Sequence, residues 1–307
     1  MIYVIISVSV ILLILIIISL YIFNTTCNKK SKSYMGIFKK MGMNLSDRVN
    51  KEAVAWFKSQ EVEDITIESF DGLKLHGVVL KAPKAVRTII CVHGYRGKGM
   101  YDFSNIYQYL NDNKSNLVMI DQRACGKSEG KYLTFGANEK KDLAKWIDYV
   151  TKEVDTKNPI YLYGISMGAT TCLLSLEYEE AKKITGVIAD CGFTSFKDEL
   201  NHIFNKIYHM PACLFMIFVS MFCKIIGGFS MNEADTKKSL INNNVPVLII
   251  HGDKDTFVPG SNSEVNYSLL KSKKQLVWIK GANHGSSMAD DPDNYRDAIN
   301  KFFNKYK

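Results

Sequence analysis

The residues best suited to chemistry lie in Gly164-Ile165-Ser166-Met167-Gly168, the G-x-S-x-G spacing of a nucleophile elbow. An apolar, aromatic run, Ile160–Tyr163, precedes it, and the small residues Ala169, Thr170 and Thr171 follow. This pattern predicts a buried strand, a sharp turn with Ser166 at its tip, and the start of a helix. The two glycines are expected where a side chain would press on the neighbouring strand and helix, and where only Gly tolerates the strained backbone. Such a turn lifts the Ser166 hydroxyl to a helix N-terminus, where the dipole and free N–H groups favour negative charge.

A lone Ser hydroxyl is a weak nucleophile at neutral pH and needs a base. His284 is the His that follows a late strand in a loop. The base in turn needs a carboxylate to fix its tautomer, and Asp255 sits in the loop after the preceding strand. In a parallel sheet the three strand ends share one edge, so Ser166, Asp255 and His284 can converge there. Asp190, at the end of the strand after the elbow helix, is the rival acid, and Asp253 is assigned to bracing its loop. His93 and His251 each precede a Gly at a strand end and are expected to order those loops. A developing oxyanion needs donors. The Met167 backbone N–H is one candidate, and the Tyr95 N–H, in the loop that Gly94 opens to close approach, is the other.

The elements that must position these groups can be read along the chain. Ile65–Phe70 alternates, Asp71-Gly72 signals a turn, and Leu73–Leu80 returns, which predicts antiparallel edge strands. Short continuous apolar runs follow at Thr88–Val92, Leu117–Ile120, Ile160–Tyr163, Thr185–Ala189, Val245–Ile250 and Gln275–Ile279. These read as strands buried on both faces, alternating with helical patterns, hence a parallel sheet wound by right-handed crossovers. The rhythm breaks over residues 192–244, where Met210–Phe222 is strongly apolar but interrupted by Pro211. A helical cap is expected there, its apolar face roofing an acyl pocket or touching a bilayer.

Residues Met1–Phe23 carry no charged side chain, and at 1.5 Å per residue they reach across a hydrocarbon core of ~30 Å. No basic leader or small-x-small cleavage site accompanies them, so an uncleaved anchor is expected rather than a signal peptide. Lys29, Lys30, Lys32, Lys39 and Lys40 follow the span, which by the positive-inside rule places the catalytic domain in the cytoplasm. Residues 24–63 form a juxtamembrane linker with a helix over Ser46–Ser59, and residues 64–307 one domain. Removing Met1–Phe23 is expected to leave that domain soluble and active.

The net charge is +8, but the lysines are scattered with no aromatic-interleaved basic stripe, which argues against nucleic acid and fits an anionic membrane surface. The seven cysteines include no C-x-x-C pair, so they read as buried apolar residues in a reducing compartment rather than disulfides or a metal site.

His93-Gly94, Asp121-x-Arg123-x-x-Gly126-x-Ser128-x-Gly130, the elbow, His251-Gly252-x-x-Asp255-x-x-Val258-Pro259 and His284 together resemble the α/β-hydrolase superfamily from about residue 64 onward. Within it the chain is similar to bacterial, often membrane-anchored, hydrolases of the esterase/lipase-like or serine-aminopeptidase-like kind. The resemblance implies a mostly parallel central sheet with helices on both faces, a helical cap, the chain order Ser…Asp…His, and no metal or organic cofactor. Ala124 stands where many relatives carry Gly, with no loss of activity expected.

The expected activity is hydrolysis of acyl esters through Ser166, His284, Asp255 and an acyl-enzyme. A serine peptidase or amidase of the same fold, and a non-catalytic membrane-tethered binding module, are the alternatives. The expected partners are a small acyl ester or short peptide-like substrate, and membrane lipid around the N-terminal anchor.

Overall fold

The computed structural model describes all residues except 34, 37–39, 41–48 and 210–211. Its centre is an eight-stranded sheet in the order β1-β2-β4-β3-β5-β6-β7-β8. The strands are β1 (Glu63–Glu68), β2 (Lys74–Leu80), β3 (Arg87–Val92), β4 (Ser115–Ile120), β5 (Ile160–Ile165), β6 (Gly186–Asp190), β7 (Val247–Gly252) and β8 (Lys274–Ile279). The β1–β2 and β2–β4 pairs are antiparallel, and every pair from β4 to β8 is parallel.

Burial follows the residue pattern. The strand β1 alternates, with Ile65 and Ile67 turned inward, while β6 and β7 are buried throughout because helices cover both their faces. Gly72, at a φ of 86°, makes the β1–β2 turn, and the Ser69 hydroxyl closes it by accepting from the Leu73 N–H at 2.7 Å. One expectation needs correcting. Of this hairpin only β1 is an edge strand; β2 lies between β1 and β4, because Leu75, Val79 and Leu80 bury an apolar side that an edge would leave half-solvated.

Helices α1 (Ile2–Cys27) and α2 (Lys51–Ser59) precede the sheet. The first runs past Phe23, where the apolar stretch ends, because Thr26 bonds back to the Ile22 carbonyl at 2.8 Å and the last turns pack on the domain. The expected Ser46–Ser59 helix falls partly on residues 46–48, outside the described residues. Its described part, α2, is capped by the Asn50 carboxamide, which accepts from the Ala53 N–H at 3.0 Å. Its Phe57 ring sits 5.0 Å from Tyr107.

Between strands lie α3 (Gly99–Asp102), α4 (Tyr107–Asp112), α5 (Glu139–Tyr149) and α6 (Met167–Ser175). The insertion between β6 and β7 contributes α7 (Phe196–Tyr208), α8 (Cys213–Ile225) and α9 (Lys237–Ile241). Then come α10 (Ser261–Leu269), α11 (Ser287–Asp290) and the closing α12 (Pro292–Lys305). Core residues fall into clusters on the two sides of the sheet, and a third cluster joins the end of α1 to the insertion.

The loop after β4 is held by charge. Arg123, almost wholly buried, donates to Asp142 at 2.6 and 2.7 Å and to Asp71 at 3.0 and 3.1 Å. The next residue, Ala124, lies in the left-handed region at a φ of 59°, which explains why Gly suits that position.

Candidate active site

Ser166 sits between β5 and α6 with φ 55° and ψ −120°, a backbone conformation that side chains rarely adopt. The surrounding glycines permit it. A Cβ on Gly168 would lie 1.9 Å from the Val92 carbonyl oxygen, and one on Gly164 2.3 Å from that of Gly168. The turn therefore presses against both the next strand and its own helix. The loop after β3 closes on it from the other side: a Cβ on Gly94 would stand 3.4 Å from the Ser166 Cβ.

Three side chains from distant parts of the chain meet here. The Ser166 Oγ is 2.9 Å from His284 Nε2, and His284 Nδ1 is 2.7 Å from Asp255 Oδ2. They arrive from the ends of β5, β8 and β7, which share one edge of the parallel sheet. The other oxygen of Asp255, Oδ1, accepts from the Phe257 and Val258 N–H groups, both at 2.9 Å. Burial alone would raise the Asp255 carboxyl, but the charge of His284 and the hydrogen bonds from His251 and His284 hold it well below the usual carboxylate range. An ionised carboxylate is what orients an imidazole Nδ1–H and leaves Nε2 free to take a proton from a hydroxyl.

The strand order, the parallel core, the helical insertion after β6 and the Ser166 turn together leave one architecture. The chain has the α/β-hydrolase fold.

A family profile described as alpha/beta hydrolase fold matches residues 87–210. Among curated proteins the chain is 27% identical to YqkD of Bacillus subtilis over 80% of each chain. It is 29% identical to YfhR of Salmonella typhimurium over 79% of this chain and 81% of that one. Among solved structures, the Pyrococcus furiosus esterase Pf2001 superposes with a TM-score of 0.65 at 22% identity, covering 84% of this chain and 96% of that one. At that identity the likeness is one of fold.

On this α/β-hydrolase fold the remaining candidates separate. Tyr95 and Met167, the proposed oxyanion donors, both line the cavity that contains Ser166, and Met167 opens α6. Asp190 does not reach His284. Its carboxylate accepts from the Tyr295 hydroxyl at 2.8 Å and the Ser287 hydroxyl at 3.5 Å, and burial pushes its carboxyl up to about 6. His93 accepts the Gln122 N–H at Nε2 (3.0 Å) and donates from Nδ1 to the Gly94 carbonyl (2.7 Å), tying the β3 and β4 loops together. Asp253 accepts from the Gly281 N–H at 2.7 Å, joining the β7 and β8 loops.

Among the described residues, Cys191, Asp255 and His284 bring metal-type ligand atoms within 4.8 Å of one another. The arrangement suits a proton relay better than a cation. Asp255 and His284 are already bonded to each other, and burial pushes the Cys191 thiol well up, disfavouring the thiolate a metal takes.

Sequence reasoning undervalued several groups. His251 is more than a loop brace: its Nε2 lies 3.2 Å from Asp255 Oδ2 and 2.9 Å from the Val258 carbonyl, and its Nδ1 lies 2.6 Å from the Ser263 hydroxyl. The four-residue spacing from His251 to Asp255 was the available signal. Glu199 of α7 is buried with neither carboxylate oxygen partnered among the described residues, and burial raises its carboxyl well above the usual range. Asp102 accepts the Gly94 N–H at 2.7 Å and so sets the loop of Tyr95. Tyr21, Ile22, Thr25 and Thr26 of α1 line the Ser166 cavity, which nothing in an apolar N-terminal run announces.

Proposed function

We propose that this protein is a serine hydrolase that cleaves acyl esters. Ser166 Oγ attacks the acyl carbonyl while His284 Nε2 takes its proton, and Asp255 stabilises the imidazolium. The Tyr95 and Met167 N–H groups receive the negative oxygen. The bond from carbonyl carbon to alcohol oxygen breaks, and His284 returns the proton to the departing alcohol. Water then gives a proton to His284 and bonds to the acyl carbon, the bond from that carbon to Ser166 Oγ breaks with Ser166 taking the proton back from His284, and the carboxylic acid leaves.

The observation that carries this reading is the unbroken hydrogen-bonded chain from Ser166 through His284 to Asp255, opening on a cavity. Ester is preferred over amide because, among the described residues, no charged side chain lines that cavity to recognise the ammonium of a free peptide N-terminus. The esterase activity named for Pf2001 is consistent with the same choice.

The test is labelling by a fluorophosphonate probe, compared between the wild type and Ser166→Ala. Labelling of the wild type alone, with turnover of acyl p-nitrophenyl esters above aminoacyl amides, is the expected result. Absence of wild-type labelling would favour a non-catalytic binding module.

Helix α1 is long and apolar enough to cross a membrane by length and composition. We read it as an anchor with the domain on the cytoplasmic side, since Lys29, Lys30 and Lys32 follow it and are exposed. Protease access to the domain in right-side-out and inverted vesicles checks the orientation.

A further inference from the structure

Residues Met1–Ile18 of the N-terminal segment are exposed or half-buried, whereas Ser19, Ile22, Phe23, Thr25 and Cys27 are buried. The last two turns of α1 therefore belong to the domain. Tyr21, Ile22, Thr25 and Thr26 line the cavity at Ser166, opposite Leu200, Ile203 and Phe204 of α7 and its turn of the cap.

The same helix end holds the loop of the proposed oxyanion donor. The Tyr95 hydroxyl donates to the Thr26 carbonyl at 2.7 Å. The Arg96 guanidinium donates to the carbonyls of Asn28 at 2.7 Å, Lys29 at 3.0 Å and Thr25 at 3.2 Å. The Thr25 and Asn28 carbonyls are orphan acceptors at the negative end of α1, and a cation suits them. Removing Met1–Phe23 would take Tyr21 and Ile22 from the cavity wall and the helical turns on which Thr25 and Thr26 are built. To the expectation of a soluble, active domain without residues 1–23 the structure therefore adds that its turnover is impaired.

Helix α8 runs beside α1, and the Ser19 hydroxyl reaches the Phe215 carbonyl at 3.4 Å. Its outward residues Leu214, Ile217, Met221 and Ile225 are 50, 76, 39 and 73% exposed and fall on one helical face. An apolar face left exposed among the described residues, alongside a helix of spanning length, fits a bilayer. Among the polar residues of the cavity wall, Thr25, only 5% exposed, has a hydroxyl with no hydrogen-bond partner among the described residues. A buried hydroxyl of that kind is unfavourable until something bonds it.

Resting on the serine-hydrolase and anchor readings above, we infer that the end of α1 is a wall of the acyl site and that the substrate is an acyl ester lipid taken directly from the bilayer. The Thr25 hydroxyl bonds a polar group beside the scissile ester. The cavity measures about 80 Å³, below the ~300–1,000 Å³ of drug-sized sites, so it encloses the scissile ester and only the carbons next to it.

The experiment uses the full chain in phosphatidylcholine vesicles. Turnover of 1-monooleoylglycerol in the bilayer is divided by turnover of water-soluble p-nitrophenyl acetate, for the wild type, Thr25→Val, Thr25→Ser and Ile22→Trp. Fluorophosphonate labelling confirms that each variant is folded. We expect Thr25→Val and Ile22→Trp each to lower the ratio at least fivefold and Thr25→Ser to keep it. Labelled Thr25→Val and Ile22→Trp variants whose ratios both stay within fivefold of wild type overturn the proposal while leaving the hydrolase reading intact. A wild type that neither labels nor hydrolyses either ester overturns both.

Discussion

Two imidazoles share one carboxylate oxygen: His251 Nε2 lies 3.2 Å and His284 Nδ1 2.7 Å from Asp255 Oδ2. Burial pulls the His251 imidazole down, but its hydrogen bond to Asp255 and that carboxylate's charge outweigh it and hold the group above the ordinary His range. A folded value above the unfolded one means stability that is fully present below about pH 6.5 and fades as pH rises through the folded value. His251→Gln should therefore lower Tm more at pH 5.5 than at pH 8.5. A deficit that is constant or grows with pH would contradict the assignment. Because Asp255 also loses a restraint, kcat/KM should fall about tenfold, measured on a soluble p-nitrophenyl ester.

Asp255→Asn should lower kcat by about 10⁴, with the fold retained, because a carboxamide cannot hold the tautomer that leaves His284 Nε2 free. Asp190→Asn should lower it less than tenfold. Its carboxyl is already raised to about 6, and an amide oxygen can still accept from Tyr295. Steady-state kinetics of the two variants side by side distinguishes the acid of the relay from the structural one, and a reversed order would assign the role to Asp190.

Glu199 offers a second linkage test. Its carboxyl is raised well above the usual range by burial, with the charges of Asp255 and Asp198 acting the same way. The folded state therefore favours the protonated form, and stability is lost as pH rises above the unfolded value near 4.3. Glu199→Gln should raise Tm at pH 7.5, and the gain should vanish by pH 4. Thermal melts across that range settle it, and a gain that persists at pH 4 would assign the effect to packing instead.

Ala124 has a φ of 59°, where an L side chain is strained. Ala124→Gly should stabilise the fold by about 0.5–1 kcal/mol and leave kcat/KM unchanged within twofold. Urea unfolding reads the first and ester hydrolysis the second.

Local chemistry was enough to make much of this protein legible in its sequence. Apolar runs such as Val245–Ile250 mark strands whose faces are both covered, and Gly164 and Gly168 mark a turn in which backbone atoms of two elements nearly touch. Ser166, His284 and Asp255 are the right residue types at the ends of three such strands, and parallel winding alone carries those ends to one edge. Other features depend on packing between segments far apart in the chain. Met1–Phe23 reads as an apolar run of spanning length, and hydropathy does not say whether its end is bathed in lipid or docked on a cap. That depends on Arg96 meeting the carbonyls of Thr25, Asn28 and Lys29, and on α8 lying beside Ser19, contacts formed across roughly 70 and 200 residues of chain. Likewise, the second imidazole on Asp255 and the carboxyl of Glu199, unpartnered among the described residues, follow from what the folded chain leaves within hydrogen-bonding reach.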